Sequence, residues 1–254
     1  MKRLFYYTAL CLVIVTGNSC SKIDNYPAPS DTITGSTIDE VTGATLQTEI
    51  GSGGTRVKLL ETSYSANPTP EYFQSMQNGT FNDDKIFAAT YKVSVEGPFV
   101  PIVTTDSTGT VTADSSQNIK LTSKATLTFK VQPFLRISWI GKPVFNADST
   151  VTVQVQITRG TKDPNYQQDI TDVNLYVSNT QINDGNNNYD QRFSPLIKIT
   201  SLKSDTILNM HQVLTITTTG GALPAQDVYF RVGARINVGL DQYNYTTPMS
   251  IKYP

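Results

Sequence analysis

Histidine, cysteine and tryptophan are scarce in this chain of 254 residues, which has one His, two Cys and one Trp. Any Ser-His-Asp triad would have to use His211, and no G-x-S-x-G elbow accompanies it. It lies in Leu208-Asn209-Met210-His211, just before a strand pattern, where a structural or solvated histidine is the ordinary finding. One histidine and two cysteines provide no zinc constellation. Paired carboxylates of the kind glycoside hydrolysis uses occur only as neighbours, Asp39/Glu40 and Asp83/Asp84, and adjacent strand residues point to opposite faces. Charged residues make up 16% of the chain, against roughly 25% in soluble domains. The net charge is −1, so there is no basic field to attract nucleic acid. No amphipathic helical period appears anywhere. These absences predict a chain that is not an enzyme and carries neither cofactor nor metal.

Long apolar runs are also missing, with one exception. Lys2 and Arg3 precede Leu4 to Thr16, a hydrophobic stretch of signal-peptide length, too short to span a bilayer. Gly17-Asn18-Ser19 then leads into Cys20. That order resembles a bacterial lipoprotein signal, in which the cysteine is acylated and becomes the first residue. The resemblance implies a signal peptide over 1–19, with Cys20 carrying the lipid, palmitate included. Cys11 would leave with the signal, so no intrachain disulfide is possible. One acyl chain holds a protein only marginally, and stable anchoring takes at least two. Residues 20–31 contain Pro27 and Pro29 and read as a semi-rigid tether. Lys22 and Asp24 resemble the charged export signals of Bacteroidetes lipoproteins, which implies an outer-membrane anchor facing the cell exterior.

Threonine is the commonest residue, and β-branched and short polar side chains favour strands and turns. Alternation marks strands at Arg56-Val57-Lys58-Leu59, at 91–95 and at 127–131. Turn chemistry marks Thr42-Gly43, Ser52-Gly53-Gly54 and Thr108-Gly109, and Asn78-Gly79 predicts a hairpin. Beyond Pro133, Val151, Val153, Val155 and Ile157 alternate with polar residues, as do Val173, Leu175 and Val177. On the last long strand Val228, Phe230, Val232, Ala234 and Ile236 face one way, Tyr229, Arg231 and Arg235 the other. The expected fold is all-β, two tandem β-sandwich domains over 32–132 and 133–254.

Ile33-Thr34-Gly35 through Asp39, Thr42-Gly43, Val57-Lys58-Leu59, Asn78-Gly79-Thr80-Phe81 and Thr90-Tyr91-Lys92-Val93 resemble the prealbumin-like, carboxypeptidase-regulatory-like module, a non-catalytic sandwich. Arg231-Val232-Gly233-Ala234 with Asn237 and Gly239 resembles the penultimate strand of a fibronectin type III or immunoglobulin-like domain, with Val228 where that family has a tyrosine. The stretches CSKIDNYPAPSDTITGSTIDEVTG and NPTPEYFQSMQNGTFNDDKIFAATYKV resemble a two-domain lipoprotein family of Bacteroidetes associated with outer-membrane glycan transporters of the starch-utilisation type. The resemblance implies a surface lipoprotein accessory to glycan uptake, with the outer membrane, a polysaccharide and the transporter complex as partners. It transfers no binding residues.

Sugar sites combine exposed aromatic faces with amide and carboxylate groups. Tyr166 (in Asp163-Pro164-Asn165-Tyr166-Gln167-Gln168), Tyr189, Tyr243 and Tyr245 are the candidate glycan-binding residues. Trp139, between Ile137 and Ile140, reads as core. Asn183-Asp184-Gly185-Asn186-Asn187-Asn188-Tyr189-Asp190 could offer oxygens to Ca²⁺, although turn formation alone accounts for it. Asp31-Thr32-Ile33, Asp106-Ser107-Thr108, Asp148-Ser149-Thr150 and Asp205-Thr206-Ile207 resemble O-glycosylation acceptors. The functional expectation is non-catalytic polysaccharide binding. Its alternative is a structural or assembly subunit that contacts the transporter without touching glycan. Clustered, exposed tyrosines would favour the first and dispersed or buried ones the second.

Overall fold

A computed structural model describes residues 27–185, 188–198, 207–208, 211–238 and 242–252. The signal segment and Cys20 lie outside the described residues, as do Asn186, Asn187, Asp205, Thr206, Gly239 and most of the tether. The architecture is all-β, and the helical conformation among the described residues is a 3-10 turn at Pro164–Tyr166 and the pair Ile207-Leu208.

The first half contains β1 (Asp31–Asp39), β2 (Arg56–Glu61), β3 (Glu71–Gln74), β4 (Thr80–Ile86), β5 (Ala89–Glu96), β6 (Val103–Thr105), β7 (Val111–Asp114), β8 (Gln117–Leu121) and β9 (Lys124–Val131). One sheet runs β4-β1-β9, with β1 and β9 parallel, and a second runs β3-β2-β5-β8. Alternation places Val57, Leu59, Val93 and Val95 inward, against Ile33, Phe81 and Phe129 of the facing sheet. β6 and β7 form a hairpin whose turn at Asp106 to Thr110 includes Gly109 at φ 84°.

The second half contains β10 (Leu135–Trp139), β11 (Val144–Phe145), β12 (Val151–Arg159), β13 (Ile170–Ser178), β14 (Leu196–Lys198), β15 (Val213–Thr217), β16 (Val228–Ile236), β17 (Asn244–Tyr245) and β18 (Met249–Ile251). β12 pairs with β10, β11 and β15, while β16 pairs with β13, β17 and β18. Val151, Val153, Val155 and Ile157 meet Val173, Leu175, Phe230 and Val232 in a core distinct from that of the first half.

Asn78-Gly79 does form a turn, with Gly79 at φ 75° and both the amide and hydroxyl of Thr80 bonded to Asn78 Oδ1. It is not a hairpin. β3 belongs to one sheet and β4 to the other, so this turn carries the chain across the sandwich. Local turn chemistry fixes the reversal but not the sheet in which the next strand finds its partner.

Candidate functional site

The segment joining β13 to β14 is held at two places. Asn183 Nδ2 donates to the carbonyls of Tyr176 and Tyr229 at 2.8 and 3.0 Å, spanning the ends of β13 and β16. Asp184 Oδ2 accepts from the amide of Ile50 in the first half at 2.9 Å, and its Oδ1 accepts from Asn188 Nδ2 at 2.8 Å. Further along, the Asp190 amide donates to the Val177 carbonyl, and Ser194 Oγ bridges the Asp190 carbonyl and the Val177 amide. Among the described residues, the loop of alternating Asn and Asp is thus committed to holding protein parts together, and Asn183 and Asp184 are fully buried. Among the described residues, no three potential metal-ligating side chains come together.

Between these ties lies a cleft of about 600 Å³. Its floor is apolar (Phe193, Leu223, Val228), and Tyr189, Asp190 and Arg192 stand among its polar wall residues. Arg192 donates from Nε and Nη2 to the two oxygens of Asp190, the latter at 2.6 Å. That bond holds the Asp190 carboxyl below the usual range, with backbone donation from Arg192 adding to it. Amides of Asn179, Gln191 and Gln226 border the same space. Among the described residues, the wall holds a planar ion pair, several amides and one phenol, and Asp190 is its one carboxylate.

Of the four candidate tyrosines, three come together through a residue that was not among them. Tyr189 meets Tyr176 edge to face at 5.1 Å, Tyr176 lies 5.5 Å from Tyr245, and Tyr245 lies 6.0 Å from Tyr243. Tyr245 and Tyr176 are buried, while Tyr189 and Tyr243 are half-buried. Tyr166 is elsewhere, stacked on Phe134 at 5.1 Å and lining a separate cavity beside Arg56 and Lys58. Tyr176 alternates with Leu175 and Val177, so periodicity alone places it outward. It is buried because the first half and the Asn-rich segment cover that face.

The cover is anchored on Arg231, which is 0% exposed. Its Nε donates to the Thr246 carbonyl at 2.9 Å, and Nη1 donates to Gln77 Oε1 and the Asn183 carbonyl. Nη2 donates to the Gln77 carbonyl at 3.2 Å, and the guanidinium lies 4.5 Å from the Tyr245 ring centroid. Burial pulls the Arg231 pKa down to about 10, despite nearby Tyr245, Asp184 and Glu49. Burial raises the Glu49 carboxyl, only partly offset by the hydrogen bond from Tyr245 at 2.9 Å. On sequence pattern Arg231 belongs to the face of β16 away from the core. The structure buries it as well, because that face meets the first half. An Arg flanked by Phe230 and Val232 on a strand already rich in apolar residues was the available signal.

Other motifs resolve into local structure. Asp106 and Asp148 each accept from the amide and hydroxyl two residues on, at Thr108 and Thr150, which makes those triplets turn motifs. Asp39 is 6% exposed and accepts two hydrogen bonds from Arg136 across the junction. The His211 carbonyl accepts from Gln156 Nε2, and its backbone sits at φ 51°.

A family model described as a domain of unknown function, DUF3823_C, matches residues 140–250. A solved DUF3823 family protein from Bacteroides uniformis ATCC 8492 is 31% identical with a TM-score of 0.79, over 89% of this chain and 100% of that one. A second B. uniformis structure, named a "putative carbohydrate binding protein", is 23% identical with a TM-score of 0.66, over 88% of this chain and 99% of that one. A DUF3823 family protein from Parabacteroides merdae ATCC 43184 is 20% identical with a TM-score of 0.65, over 89% of this chain and 100% of that one. No curated protein matches the sequence.

Proposed function

This chain belongs to the DUF3823 family, and we propose that it is a non-catalytic glycan-binding protein, tethered to the outer membrane through Cys20 as an accessory to glycan uptake. The observation that carries the reading is the cleft beside Tyr189, where the Asp190–Arg192 pair and a rim of amides surround an apolar floor. A pyranose has the same division, with an apolar C–H face and an equator of hydroxyls that both donate and accept. The fixed carboxylate accepts from vicinal hydroxyls, the amides do both, and the half-buried Tyr189 meets the ring face above the apolar floor. The cleft volume falls within the range of small-molecule sites, roughly 300–1,000 Å³. The carbohydrate-binding name given to the B. uniformis neighbour points the same way. Lipid anchoring would make a weak site sufficient, because confinement raises the effective concentration.

A second reading is the assembly subunit, and the burial of Tyr176 and Tyr245 in the junction favours it. Affinity electrophoresis against a polysaccharide panel separates the two. Retardation by at least one polymer, abolished in Tyr189→Ala, supports glycan binding. Unretarded migration on every polymer supports the assembly role.

A further inference from the structure

The only tryptophan packs against the core but is not fully enclosed by it. Trp139 lies on β10, which among the described residues pairs only with β12, so it stands at a sheet edge. One side of the indole packs against the second core, while the residue as a whole is half-buried and borders a groove of about 320 Å³. The groove runs along the junction of the two halves. Thr42, Thr45 and Gln47 of the first half form one wall, and Arg136, Ser138 and Trp139 form the other.

Three features make this groove more than a seam. The indole Nε1–H donates to the Thr247 carbonyl at 2.9 Å. That bond fixes the ring's direction and satisfies its one polar group, leaving ring surface for apolar contact at little further entropic cost. The opposing wall presents exposed Thr42 and Thr45 and half-buried Gln47, groups that exchange hydrogen bonds with water and could exchange them with hydroxyls. The charges in the lining cancel, since Arg136 is bonded through two nitrogens to Asp39. The pair adds a rigid polar edge without a net field to attract an ion.

We propose that this groove is a second sugar-contact site, distinct from the Tyr189 cleft, with Trp139 as its stacking platform and a neutral glycan as its ligand. The inference takes its ligand class from the proposed glycan-binding function, but it uses none of the cleft's residues. Its volume, about half that of the cleft, suits a short stretch of a chain. Two weak sites on one protein give a polymer a longer residence than either alone. Because its walls come from both halves, an occupied groove would also hold their relative orientation.

The single tryptophan makes the test direct. The 15N-labelled full chain gives one indole N–H resonance, which can be followed while maltohexaose, xylohexaose, mannohexaose or β-1,4-galactohexaose is added to about 10 mM, roughly tenfold above a Kd of order 1 mM. The expected result is a saturable shift of that resonance with at least one oligosaccharide, retained in Tyr189→Ala and weakened at least about tenfold in Thr45→Arg, which places bulk in the groove from an exposed position. An unmoved indole peak with all four sugars overturns the inference, as does a shift that disappears in Tyr189→Ala or persists in Thr45→Arg. If polysaccharide gels retard the protein while the indole stays still, only this second site falls. If neither responds, the glycan-binding reading falls with it.

Discussion

Replacing Arg231 by Met should be the most damaging single change at the junction. The guanidinium is fully buried and donates to five acceptors at 2.9 to 3.5 Å, the backbone carbonyls of Gln77, Asn183 and Thr246 and the side-chain oxygens of Gln47 and Gln77. Met fills much of the volume and restores none of the donors. It also leaves Glu49 and Asp184 facing the junction without their buried cation. Replacing every member of a buried ionic cluster by apolar groups is often neutral, but removing one member costs roughly 3–5 kcal/mol. For a protein of this length that lowers the melting temperature by roughly 6–20 °C. Arg231→Lys keeps the charge but not the planar fork, and should cost about 2 kcal/mol. Urea unfolding followed by Trp139 fluorescence and by far-UV circular dichroism measures both. A loss below about 1 kcal/mol in Arg231→Met would refute the argument that this residue locks the halves together.

The carboxylates at the junction should respond to pH in opposite directions. Glu49 is raised above 4.5 in the folded state, so its contribution is fully present below the unfolded value and lost as pH rises through the folded one. Glu49→Gln should therefore be no less stable than wild type at pH 7 and should flatten the stability change above pH 4.5, read from urea midpoints across that window. At Asp39, burial pushes the carboxyl up, but hydrogen bonds from Arg136 and the Val41 amide outweigh it and leave it below 3.8. Its contribution is present above that value and lost as pH falls through the folded one, so Asp39→Asn should cost about 1–3 kcal/mol at pH 7 and progressively less as pH falls below 3.8. Gly79→Ala combines φ 75° with a Cβ position only 2.5 Å from the Leu46 carbonyl oxygen, so it should cost about 2 kcal/mol or more by thermal unfolding.

The strands were legible because one face of each is buried. Val151 to Ile157, Val173 to Val177 and the apolar row of β16 alternate as half-buried strands must, and the structure pairs β13 with β16 and packs both rows against that of β12. What the sequence obscured arises where a second surface covers the outer face. Arg231 and Tyr176 lie on outer faces by period, yet both are buried, because the segment from Gln47 to Ile50 and residues 183–185 close over them. Tyr245 shares that fate, and its phenol is raised well above its ordinary pKa by burial. Of the proposed sugar contacts, Tyr189 remains at a cleft, Tyr243 extends the buried cluster and Tyr166 lines a different cavity. Trp139 packs against the second core as its apolar neighbours imply, but only in part, because β10 is an edge strand and an apolar run there need not be fully enclosed. Neither partner surface leaves a periodic trace, since the contacts that bury these residues join positions more than a hundred apart.

Whether the cleft beside Tyr189 binds glycan is decided by calorimetric titration. The polysaccharide that retards the protein most strongly should be titrated into wild type, Tyr189→Ala and Asp190→Asn. Wild type should bind measurably, and each variant should bind at least about tenfold more weakly while the melting temperature changes little. Equal affinity in all three proteins would contradict binding at this cleft.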